Sequence, residues 1–122
     1  MLRGATLSET ATTTAHGARQ FVRDALVDCP ETVVDSAMLL VSEITTTSMA
    51  IWGASAVRII VLRSSEEVRV EVHEPPSRPV HRRYDDVTGP GDGIVGSVAD
   101  RWGVDHLAAG RVVWFEVEVG SR

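Results

Sequence analysis

A two-layer α/β sandwich, with helices on one face of a mixed, largely antiparallel sheet, is the fold class this sequence predicts. Three observations carry that expectation. Two consecutive segments repeat apolar residues at helical spacing, and a later pair of segments reads as strands joined by a three-residue connection. At 122 residues and 43% hydrophobic content, the chain suits one compact core, so a single domain spanning 1–122 is expected.

Each element follows from local pattern. A short strand is expected near Leu2 to Leu7. Ala18, Phe21, Val22, Ala25, Leu26 and Cys29 then lie on one helical stripe that Pro30 closes. A second helix starts at Glu31 and carries Val34, Ala37, Met38, Val41, Ile44, Ser48, Ile51 and Trp52 until Gly53 ends it. "AVRIIVLR" (56–63) and "EVRVEVHE" (67–74) follow as strands. In the latter, Val68, Val70 and Val72 alternate with Arg69, Glu71 and His73, the mark of a strand with one buried face. Residues 75–93 hold four of the five prolines and the run "HRRYDD", which reads as a long functional loop, here termed the lid segment. A short helix at about 94–100, a strand near Val104 to Ala108 and a last strand over 111–119 complete the order. Trp102, Trp114 and Phe115 read as core.

Composition removes several function classes. Every basic residue among the 12 is arginine, so a Walker A loop, a Schiff-base lysine and the lysine anchor of eukaryotic-type protein kinases are excluded. A net charge of −5 disfavours direct nucleic-acid binding. One cysteine, Cys29, permits no internal disulfide, and the start "MLRGATLSET" has no apolar signal region, so a soluble cytoplasmic protein without membrane contact is expected. His16, His73, His81 and His106 lack metal-ligand spacing, and "GSVAD" lacks the nucleophile elbow of hydrolases.

Four stretches carry a resemblance: "ARQFVRDAL", "LLVSEITT", "VRVEVHEPPSRP", and "GPGDGIVGSVADRWGV" leading to "GRVVWFEV". In this order and spacing the chain resembles the GHKL (histidine-kinase-like) ATPases, and among them the small bacterial anti-sigma-factor serine kinases and their regulatory relatives. The resemblance implies a Bergerat-type sandwich. It implies that Glu43 acts as general base or orients the attacking hydroxyl, and that Thr47 occupies the position of the asparagine that ligates Mg²⁺. Glu74 falls where an aspartate accepts a hydrogen bond from the adenine amino group. Gly89, Gly91 and Gly93 fall where the lid backbone and the following helix start approach the phosphates of ATP.

The sequence departs from that pattern in three places. Thr47 offers a shorter, neutral hydroxyl, and the chain contains no asparagine that a register shift could bring in. Glu74 keeps the carboxylate but adds a methylene, displacing its oxygens by roughly one bond length. Asp92 follows Gly91 where an apolar residue is usual, and a carboxylate at a helix start caps the amides that would hold phosphate. Taken alone, Thr45, Thr46 and Thr47 are a polar helix face whose hydroxyls can bond back to the preceding turn. Arg82 and Arg83 in the lid could reach a phosphate or an acidic partner, although an exposed arginine pair is more often solvated surface.

The expectation is therefore a regulatory pseudoenzyme that binds a protein partner, such as a sigma factor, an anti-sigma antagonist or a DNA-binding regulator, with ATP and Mg²⁺ binding weakened or lost. The alternative is an active ATP-binding serine kinase and anti-sigma factor. A homodimer is compatible with either.

Overall fold

The computed structural model describes residues 6–52, 56–75 and 94–120. Its elements are β1 (Thr6–Thr12), α1 (Ala15–Ala25), α2 (Glu31–Trp52), β2 (Val57–Arg63), β3 (Glu67–His73), α3 (Ile94–Val98), β4 (Arg101–Leu107) and β5 (Gly110–Glu118). The strands form one five-stranded sheet in the order β1-β2-β3-β5-β4. All its pairings are antiparallel, so the expected mixed sheet is corrected to an antiparallel one among the described residues. The physical reason lies in the connection from β1 to β2. Two consecutive helices carry the chain away and back, so β2 starts at the end where β1 stops, whereas a single crossover helix would have set the strands parallel.

β1, the strand expected near Leu2 to Leu7, is seen at Thr6 and Leu7 and continues to Thr12, while residues 2–5 of that expectation lie outside the described residues. Its direct partners on β2 place Thr6, Ser8, Thr10 and Thr12 on the helix-covered face and Leu7, Glu9 and Ala11 on the opposite face. A strand that points hydroxyls inward and a leucine outward hides from a search for apolar alternation. Its threonines still favour extended backbone. Thr14 caps the following helix, its Oγ1 accepting from the Gly17 amide at 2.9 Å. α1 stops at Ala25, short of Cys29, because Leu26 leaves helical geometry and a turn carries the chain on to Pro30.

α2 carries the main apolar stripe. Val33, Ala37, Leu40, Val41 and Ile44 are buried at spacings of three and four, and they cover Ile59, Val61, Val68, Val70, Val72 and Phe115 of the sheet. Each fully buried leucine or valine of this set contributes about 1.5–3 kcal/mol relative to exposure. The stripe is rotated slightly from the expected one: Val33 and Leu40 are buried while Val34 and Met38 are half-buried beside it. Val22 of α1 and Leu26, just past its end, complete the layer.

The aromatic residues divide. Phe115 is fully buried. Trp102 is exposed and Trp114 only half-buried, which corrects the reading of both as core. Trp114 lies on the uncovered face, opposite Gly103 of β4, where a Cβ on Gly103 would stand 2.6 Å from the indole Cζ2. The Arg69 guanidinium stacks on the indole, 4.3 Å from its ring centroid.

Candidate functional site

Three apolar stripes end in polar residues at one level of the structure. On β3 the inward positions Val68, Val70 and Val72 are followed by Glu74. On β5 the inward Val117, Phe115 and Val113 are followed, toward the strand start, by Arg111. On α2 the stripe through Val41 and Ile44 continues to Ser48. The Glu74 amide donates to the Arg111 carbonyl at 2.8 Å, extending the β3–β5 ladder by one step and setting the two side chains against each other.

Both Glu74 oxygens are engaged. Arg111 Nε donates to Oε1 at 2.6 Å and Nη2 to Oε2 at 2.9 Å, a bidentate fork, while Ser48 Oγ donates to Oε2 at 2.5 Å. The Glu74 side chain is 0% exposed and that of Arg111 10%. A carboxylate at such depth is tolerable only when paired and hydrogen-bonded, and here the β5 strand and the α2 helix each supply a donor.

Glu43 and Thr47 stand elsewhere. They lie one turn apart on α2, on an exposed flank beside the sheet-facing stripe. Ser42, next to Glu43, faces α1, where Arg19 Nη1 donates to its Oγ at 2.8 Å. Thr45 is fully buried with its Oγ1 unpaired, so the three threonines do not form a single polar face. The structure thus brings Glu74 together with Ser48 and Arg111, and leaves Glu43 and Thr47 on open surface. Gly89, Gly91, Gly93, Arg82, Arg83 and Asp92, with most of the lid segment, lie outside the described residues.

Mg²⁺ prefers an octahedral oxygen shell with carboxylate or phosphate ligands. The exposed flank of α2 offers the Glu43 carboxylate and the Thr46 and Thr47 hydroxyls, and no group of three His, Cys, Asp or Glu that could hold a metal occurs among the described residues. This donor set does not fit a protein-built Mg²⁺ site. No described helix is long and apolar enough to cross a membrane.

A cavity of about 340 Å³ opens at the same end of the sheet. Arg58, His73, Glu74 and Arg111 contribute its polar lining, and Ala11, Ala56, Pro75 and Leu107 are among its apolar walls.

No protein-family model matches the chain, and no curated protein matches it in sequence. In the sequence, Ser48 stands only as a member of the α2 stripe, and Arg111 only as the first residue of the last strand. The usable signal was parity: alternation carried one step past Val72 and Val113 puts Glu74 and Arg111 on the buried face, where opposite charges must meet.

Proposed function

We propose that the chain is a regulatory protein with an anti-sigma-factor-like, Bergerat-type arrangement, acting by protein–protein binding in transcriptional or signalling control, with its nucleotide site weakened or lost. The motif resemblance supplies the family reading, and the helices lying on one face of an antiparallel sheet are compatible with it. The loss of nucleotide binding rests on one observation, the saturation of the buried Glu74 carboxylate by Arg111 and Ser48.

An adenine amino group seeking that carboxylate competes with three donors already in place, Arg111 Nε, Arg111 Nη2 and Ser48 Oγ. Where that competition breaks the buried Arg111 pair it costs about 3–5 kcal/mol, against the roughly 8 kcal/mol that a micromolar ligand gains in all. The remainder corresponds to millimolar affinity. Among the described residues Glu43, exposed on α2, belongs to no group of carboxylates that could hold a compensating metal.

The purified chain should therefore show no saturable binding of ATP with Mg²⁺ below millimolar concentration in calorimetry, and should form a complex with a sigma factor, its antagonist or a DNA-binding regulator in nucleotide-free buffer. Micromolar, magnesium-dependent ATP binding would defeat this reading and favour the serine-kinase alternative.

A further inference from the structure

We propose that the cavity at the end of the sheet is a carboxylate-binding site, with Arg58 as the anion-recognising group and the apolar wall through Leu107 receiving an aliphatic body. The ligand class is a monocarboxylate with a short apolar chain, either a free acid or the C-terminal carboxylate of a polypeptide.

The inference comes from comparing the arginines that the sheet carries. Arg69 reaches Glu71 at 2.8 Å and Glu116 at 3.0 Å, Arg101 reaches Glu116 at 2.6 Å, and Arg111 reaches Glu74 at 2.6 Å. Arg63 donates to the Ala25 carbonyl at 3.2 Å. Among the described residues, Arg58 has no oxygen acceptor at such distances. Its nearest carboxylate, Glu9, stands at 3.8 Å, both side chains are about half exposed, and its other contact is His73 Nδ1 at 3.4 Å. Charge-assisted N–H···O bonds run at about 2.7–2.9 Å, so the Arg58 guanidinium keeps donors to offer.

The surroundings suit a carboxylate rather than a cation. Glu74 lines the cavity, but Arg111 neutralises it in bidentate fashion, and Glu71 is occupied by Arg69 and by His73 Nε2 at 2.9 Å. What is left facing the cavity is the positive charge of Arg58 above alanine, proline and leucine side chains. Leu107, 56% exposed, is a large apolar side chain on that wall. The volume of about 340 Å³ lies at the small end of ligand pockets. This site is independent of the partner-binding reading, which is judged by complex formation, whereas the cavity is judged by titration.

The test is a ¹H–¹⁵N NMR titration of the whole chain with hexanoate and with hexanol. Saturable shifts should centre on amides at 73–74 and 109–112. A hydrogen-bonded charge contributes about 1.5–3 kcal/mol, so hexanoate should bind about ten- to a hundredfold more tightly than the alcohol. Arg58→Gln, at an exposed position, should keep the native spectrum and lose the preference. Leu107→Glu should weaken hexanoate by repulsion, while Arg23→Gln on α1 should change nothing. Equal affinities for acid and alcohol, an unaltered preference in Arg58→Gln, or an absence of shifts at the sheet end would each overturn the site. A pair of short peptides ending in leucine, one a free acid and one an amide, distinguishes the sources. Binding of the free-acid peptide more tightly than hexanoate assigns a polypeptide terminus, and binding of hexanoate alone assigns a small acid. Equal binding of peptide acid and amide counts against a carboxylate site.

Discussion

The same Arg–Glu chemistry appears at two depths of this sheet. On the uncovered face, Arg69 and Arg101 meet on Glu116 and extend to Glu71, Glu67 and Glu118 in a ladder across β3, β5 and β4. On the covered face, Arg111 grips Glu74 beneath α2. The distances are nearly equal, with Arg101 Nε–Glu116 and Arg111 Nε–Glu74 both at 2.6 Å. Their surroundings are not. Water reaches one side of the outer ladder, where Arg101 is 46% exposed and Glu116 14%, whereas the Glu74 side chain of the inner pair is 0% exposed, so losing Arg111 would leave a fully buried, unanswered charge. Contact distance does not reveal what an ion pair contributes; depth does.

The sharpest way to break the comparison is at Arg111. Arg111→Met should destabilise the fold by about 3–5 kcal/mol in urea unfolding, because it strands the Glu74 charge. The paired change Glu74→Met with Arg111→Leu should recover most of that loss, since apolar replacement of a whole buried pair is often neutral. Equal losses from the single and paired changes would mean that depth is not the deciding variable.

Acid titration probes the outer ladder more gently. Burial alone would raise the Glu71 carboxyl, yet hydrogen bonds from Arg69 and His73 outweigh it and hold the group below the usual carboxylate range. Glu116 is depressed likewise, with burial outweighed by hydrogen bonds from Arg101 and Arg69. A depressed folded value contributes stability that is present above the unfolded value of about 4.3 and is lost as pH falls through the folded one. The melting temperature should accordingly drop below about pH 4, and Glu116→Gln should flatten part of that drop.

At neutral pH the effect of Glu116→Gln should be the smallest of the set, under about 1 kcal/mol, and should shrink further in molar salt. A salt-independent loss as large as that of Arg111→Met would place the outer ladder on the same footing as the buried pair.

Much of the architecture was legible because periodicity reports burial directly. Val68, Val70 and Val72 announce β3, and the stripe through Ala37, Val41 and Ile44 announces α2. The extent of β1 to Thr12 is hard to read because its inward residues are hydroxyls, and Trp114 reads as core although its indole, on an open face, is covered by a neighbouring guanidinium. The polar cluster was half legible. Glu74 was visible at the end of its strand, but its partner Arg111 is 37 residues away and only strand pairing brings it alongside. Arg58 read as one more charged position on a strand, since nothing local to it says that Glu9 would stop short of hydrogen-bonding distance.

The return of the chain through two helices also has a kinetic side. Arg63 and Val68 pair across a short turn, whereas Thr12 and Val57 stand about ninefold farther apart along the chain, so closing the β1–β2 contact costs about 2 kcal/mol more in loop entropy. The β2–β3 hairpin can form on a timescale of about 1–10 μs from its own residues, without waiting for any other element. β1 gains its place only after α1 and α2 have returned the chain to the sheet, which makes the N-terminal edge the part expected to close last in folding and to open first when the sheet frays.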